Sequence, residues 1–285
     1  MTTDLCISFA LAALCPLIAG VACLLPRIRK GSAPDLHSPR GASPLGEDAA
    51  QPPTVRRFPT AGDVTCALLY YAFFCAIRLP LFGEEAGCSA PEPQSLLNAA
   101  LTVAASLAVY LPLLLLAFEH RGSGFLRSSE GKTPTMGRLA RLFLLSLAAV
   151  FAFSLLYQYT GLSDLILKLS GARELQSVCE LIAQTSSPGA LVLMGLNTIL
   201  IAPVCEEILW RGYVFNILRT RCRPIAAAAT SGLLFSAIHF AVPQFLILSF
   251  FGFVLALAYE RSRSLLMPIA LHITFNAINF TLLLT

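Results

Sequence analysis

Two adjacent carboxylates and an arginine lie within six residues of an apolar run that reads IAPVCEEILWRGYVFNIL from Ile201 to Leu218. Glu206, Glu207 and Arg211 would each cost about 2.5–3.5 kcal/mol in hydrocarbon on insertion scales, so packing alone does not explain them. Glu207 and Arg211 are four apart, the favourable order for a helical ion pair. Glu206 then points about 100° away and stays free for acid–base work. Of the four histidines, His37 and His120 fall in loops, whereas His239 and His272 fall in apolar runs. His239 closes FSAIH, one turn after Phe235, and His272 opens HITFN, one turn before Asn276, with Asn279 extending that face. A desolvated carboxylate is a better proton acceptor, so Glu206 with His239 could activate a water. His272 and Asn276 could stabilise the oxyanion formed when that water attacks an amide. By ligand type, Glu206, His239 and His272 could also hold a divalent metal such as zinc with an open position.

These groups need helices that bring them to one level. The chain has 285 residues, 56% hydrophobic and 13% charged, with a mean hydropathy of +0.73. Soluble domains carry roughly 25% charge, so the expectation is an all-α integral membrane protein. Apolar runs predict spans over 5–25, 62–82, 96–118, 139–159, 188–218, 224–240, 244–260 and 265–284, about eight transmembrane helices. A Pro-rich linker occupies 31–60, and 162–184 has the spacing of an amphipathic helix broken near Gly171. Sixteen of the 20 Lys and Arg fall in 26–61, 119–141, 219–223 and 261–263, which eight spans place on one side. Apart from Arg211, only Arg78, Lys168 and Arg173 fall on the other. The positive-inside rule then sets both termini on the non-cytoplasmic side and explains the basic loops without nucleic acid. The lipid bilayer itself is the partner of these apolar faces. Counting back from Arg221, Glu206 and His239 reach similar depth, with His272 nearby, so three helices could converge on one site.

Three motifs in order, Glu206-Glu207-x-x-x-Arg211, Phe235-x-x-x-His239 and His272-x-x-x-Asn276, resemble the signature of the CPBP family of intramembrane proteases. That family, also called the Abi or CAAX-protease family, includes the type II CAAX prenyl endopeptidases. The resemblance covers roughly 188–280 and implies an intramembrane endopeptidase with a C-terminal four-helix catalytic core. It implies Glu206 as the catalytic glutamate, His239 as its partner on the water, and His272 with Asn276 as the oxyanion pair. Glu207 and Arg211 would be the supporting ion pair. Many members are called metalloproteases, whereas the structurally understood ones favour a glutamate-activated water without a tightly held metal; a bare water and one bound to a divalent metal such as zinc both fit the sequence. The substrate would be a membrane-associated or lipid-modified peptide or protein, cut near the cytoplasmic side.

The chain then divides into an N-terminal four-span region (1–161), an amphipathic segment (162–187) and the core (188–285), in a bacterial plasma membrane. Two other classes compete: a non-catalytic scaffold or bacteriocin-immunity protein of the same fold, and a small transporter with a carboxylate relay. A transporter often carries an internal repeat, and the sequence has no convincing one. Trp210 and Tyr213 suit an interfacial belt or a substrate channel equally.

Overall fold

The computed structural model describes residues 95–119, 134–170, 177–239 and 241–285. The expected spans over 5–25 and 62–82, the linker at 31–60 and the loop at 120–133 lie outside the described residues. Eight helices follow in order: α1 (Leu96–Glu119), α2 (Met136–Tyr159), α3 (Leu162–Ser170), α4 (Ser177–Gln184), α5 (Pro188–Arg221), α6 (Pro224–Ala237), α7 (Phe245–Ser262) and α8 (Leu266–Leu283). The protein is an all-helical membrane protein; α2, α5, α7 and α8 are each long and apolar enough to cross a bilayer.

Local chemistry fixes most boundaries. Pro188 and Pro224 open their helices, where a missing N–H costs nothing. The Ser187 hydroxyl accepts from the Ala190 N–H and caps α5. Gly161, at φ +66°, turns the chain from α2 into α3, which buries no residue of its own and keeps Leu165 and Leu169 exposed. Among the described residues, the amphipathic segment forms two short helices, α3 and α4.

Within the 34 residues of α5 the winding changes twice. Leu196–Ile201 and Ile208–Phe215 are π-helical and flank the α-helical turns Ala202–Glu207. Pro203 supplies a cause for the first: it has no N–H, and its ring would clash with the carbonyl four residues back. A wider turn makes room, and the Ala202 N–H reaches back five residues to the Asn197 carbonyl.

The closest helix contact joins α6 to α7. A Cβ built on Gly232 would lie 2.5 Å from the Ser249 carbonyl oxygen, and one on Gly252 would lie 2.8 Å from the Gly232 Cα. Only glycine permits this approach. On the far side of α7, α2 packs through Phe153 on Phe250, rings 4.3 Å apart, and through Phe151 against Phe275 of α8. The α1 helix lies along the start of α5, where Ala99 packs with Ala190 and Met194. Exposed leucines on α2, among them Leu144, Leu145, Leu155 and Leu156, face outward as a lipid-bathed surface requires.

The Tyr157 hydroxyl near the end of α2 donates to the Pro243 carbonyl at the start of α7 (2.6 Å). α2 and α7 are therefore antiparallel, and Arg138 and Arg141 share an end with Arg261 and Arg263. Arg219 joins Glu260 at that same end (2.9 Å), beside Arg221 and Arg223. Among the described residues, seven cations gather there and Lys168 alone lies at the other end, Arg211 being buried between.

Candidate active site

Glu206 and Glu207 sit on the α-helical turn between the two π segments. Glu207 and Arg211 are fully buried and paired, with Arg211 Nη1 donating to Glu207 Oε1 (2.7 Å). The guanidinium spends its other end on the Gly252 carbonyl (Nη2 to O, 3.0 Å), and its Cζ stands 5.0 Å from the Phe235 ring centroid. Burying two charges is costly unless their hydrogen bonds are satisfied. The bare Gly252 backbone supplies one of those bonds.

Glu207 does more than neutralise an arginine. Its Oε1 also accepts from Nδ1 of His272 on α8 (2.8 Å). A carboxylate on one ring nitrogen fixes the tautomer and turns the other nitrogen to the site. His272 Nε2 consequently stands 4.0 Å from Glu206 Oε2.

His239 reaches the same oxygen from another direction. The helix expected over 224–240 ends at Ala237, so His239 lies in the turn beyond α6. The chain must reverse there ahead of Pro243. The last turn leaves carbonyls unpaired, and His239 Nδ1 donates to the Phe235 carbonyl (2.7 Å). Its Nε2 then faces Glu206 Oε2, also at 4.0 Å. Two hydrogen bonds of about 2.8 Å meeting near a right angle span such a gap, which is the geometry of one bridging water.

Aromatic rings wall this gap. Phe235 lies 4.6 Å from the His239 ring and 5.9 Å from that of His272, and Phe251 meets His272 edge-on at 5.1 Å. Trp210 closes behind Phe235 at 6.0 Å. His239 is the most open member of the set, at 21% side-chain exposure against 10% for Glu206 and 4% for His272.

A tetrahedral zinc about 2.1 Å from each ligand would hold the three ligand atoms about 3.4 Å apart. Glu206, His239 and His272 offer suitable atoms but stand 4.0 Å apart along both O–N edges. Among the described residues no group of His, Cys, Asp or Glu is close enough to hold a metal. As they stand, these side chains do not fit one.

Other expected members are placed differently. Asn276 gives one Nδ2 hydrogen to the Thr198 carbonyl in the first π segment (2.8 Å). That bond satisfies a backbone group beside the widened turn. Asn279 is exposed and bonds its own helix at Phe275 (2.8 Å). Trp210 and Tyr213 are buried in the core, at 1% and 0% exposure, and form neither an interfacial belt nor a channel wall.

The sequence reading missed two tyrosines. The Tyr110 hydroxyl on α1 donates to Glu206 Oε1 (3.4 Å), and Tyr157 holds the α6–α7 connection that carries His239. Their only sequence signal is a phenol in an apolar run, whose hydroxyl needs a partner.

Residues 188–278 match the family model described as type II CAAX prenyl endopeptidase Rce1-like. The chain is also similar to "Putative membrane peptidase YdiL" of Bacillus subtilis (strain 168), with 28% identity over 87 residues. That match covers 30% of this chain and 36% of the relative, little more than a third of its length. No solved structure matches. The family match takes in every motif residue, from Glu206 to Asn276, and leaves out α1 through α4.

Proposed function

We propose that this chain, whose residues 188–278 match the family model described as type II CAAX prenyl endopeptidase Rce1-like, is an intramembrane endopeptidase working by a carboxylate-activated water. The observation that carries this is the pair of histidine Nε2 atoms, each 4.0 Å from the same Glu206 oxygen. A water held there gives one proton to Glu206 Oε2 and is aligned by His239 Nε2, while its oxygen attacks the scissile carbonyl carbon. The carbonyl oxygen becomes an oxyanion. His272 Nε2–H and the second Nδ2 hydrogen of Asn276 donate to it; His272 then carries both ring protons, with Nδ1–H on Glu207, and the oxyanion balances its charge because Glu207 is already paired with Arg211. The tetrahedral intermediate collapses as Glu206 returns its proton to the leaving amine. Arg211 and Glu207 act as positioning residues, holding α5, α7 and α8 in register.

Residues 188–285 form the catalytic core in this reading, and 1–161 and 162–187 flank it. The substrate is a membrane-associated or lipid-modified peptide, and the home is a bacterial plasma membrane with both termini outside. The basic end is then cytoplasmic. Glu206 is fifteen residues from Arg221, about 22 Å along the helix. His239 lies past the end of α6 remote from the basic loops. In this reading the cut is made inside the bilayer, farther from the basic end than the cytoplasmic side that the sequence suggests.

The test uses the full chain in proteoliposomes with two internally quenched peptides, one farnesylated and ending in a CAAX-type sequence, the other an unmodified transmembrane segment. Wild type is expected to cleave at least one of them, and Glu206→Gln to lower that rate by about 100-fold or more. Cleavage by Glu206→Gln at the wild-type rate overturns the mechanism. No cleavage of either peptide favours the non-catalytic scaffold.

A further inference from the structure

The matched segment begins at residue 188, yet one oxygen of the central carboxylate is held from outside it. Glu206 Oε2 faces both histidines. Its other oxygen, Oε1, receives the hydroxyl of Tyr110, fourteen residues into α1 (3.4 Å). Tyr110 is 7% exposed and packs in the same core cluster as Cys205, Leu209 and Trp210. The terminal torsion of a glutamate is broad, so packing alone sets its carboxylate plane weakly. A single donor on Oε1 selects the plane in which Oε2 lies between the two Nε2 atoms. Glu207, one residue on, has no such freedom, because Arg211 and His272 both hold its Oε1.

We infer that Tyr110 is a positioning residue for Glu206, so the site is completed by a helix outside the segment that carries the family motifs. This extends the peptidase reading and rests on it for its kinetic consequence. Two features argue that the contact is built. α1 runs parallel to α5, with Leu96 against Gly189 at one end and Tyr110 against Glu206 further on. Also, Tyr110 meets Glu206 Oε1, whereas both histidine Nε2 atoms stand nearest Oε2.

The test is Tyr110→Phe, which keeps the ring and removes the hydroxyl. Loss of this 3.4 Å hydrogen bond is expected to lower kcat about three- to tenfold, with KM within about twofold of wild type. In a Glu206→Gln background the same substitution should change the residual rate less than about twofold, because its effect passes through that carboxylate. A second measurement needs no substrate. The infrared difference between wild type and Glu206→Gln isolates the Glu206 carboxyl band, and Tyr110→Phe should shift it. An unshifted band overturns the inference, as does an unchanged kcat or an equal effect in the Glu206→Gln background. If neither peptide is cleaved, the peptidase reading falls, and the infrared band still decides whether Tyr110 positions Glu206.

Discussion

Replacing Gly232 by alanine tests how tightly the fold and the site are coupled. The new Cβ would lie 2.5 Å from the Ser249 carbonyl oxygen and 2.6 Å from the Phe253 nitrogen, both backbone atoms of α7. Ordinary contact begins at 3.4 Å, so α6 and α7 must part by about 0.9 Å. If α7 gives way, the 3.0 Å bond from Arg211 to the Gly252 carbonyl stretches toward about 3.9 Å, beyond hydrogen-bond reach. If α6 gives way, Phe235 moves instead, and with it the wall behind both histidines. Overpacking costs about 1–3 kcal/mol, and losing a hydrogen bond to a charged group about 1.5–3 kcal/mol. At about 2–4 °C per kcal/mol for a chain of this size, Tm should fall by on the order of 10 °C.

The chain contains a single tryptophan, Trp210, edge-on to Phe235, so its fluorescence reports unfolding from beside the site. Gly137→Ala is the internal control. Nothing lies within 4 Å of its Cβ position, and alanine is favoured over glycine in a helix by about 0.5–1 kcal/mol, so Tm should hold or rise slightly. A Gly232→Ala protein that melts within about 2 °C of the control would refute the claim that the interhelical approach is obligatory.

Two ion pairs of nearly equal length should respond unequally. Arg211→Met strands Glu207, since the pair is 0% exposed on both sides, and should destabilise by about 3–5 kcal/mol, seen as a large fall in Tm. Arg219→Ala breaks a 2.9 Å pair to Glu260 whose side chains are 30% and 33% exposed, and should cost no more than about 1 kcal/mol in the same melt. Equal shifts for the two would mean that burial is not what makes the inner pair matter.

The sequence by itself determined what depends on near neighbours. Apolar runs of spanning length gave α1, α2, α5, α7 and α8 within a few residues, and prolines marked the starts of α5 and α6. The four-residue spacing of Glu207 and Arg211 foretold their ion pair, because helical periodicity brings i and i+4 together whatever else the chain does. The motifs also picked out Glu206, His239 and His272, three costly polar side chains far apart in the chain. Tertiary structure decided how these meet. No local period encodes that Glu207 turns aside to hold His272, that Asn276 gives a hydrogen to a carbonyl freed near Pro203, or that His239 stands beyond its helix. Nor does any local signal place Tyr110 over Glu206 or set Gly232 against Gly252. Those contacts join residues from 20 to 96 positions apart. The packing of whole helices sets their distances, so they become legible only when every helix has taken its place.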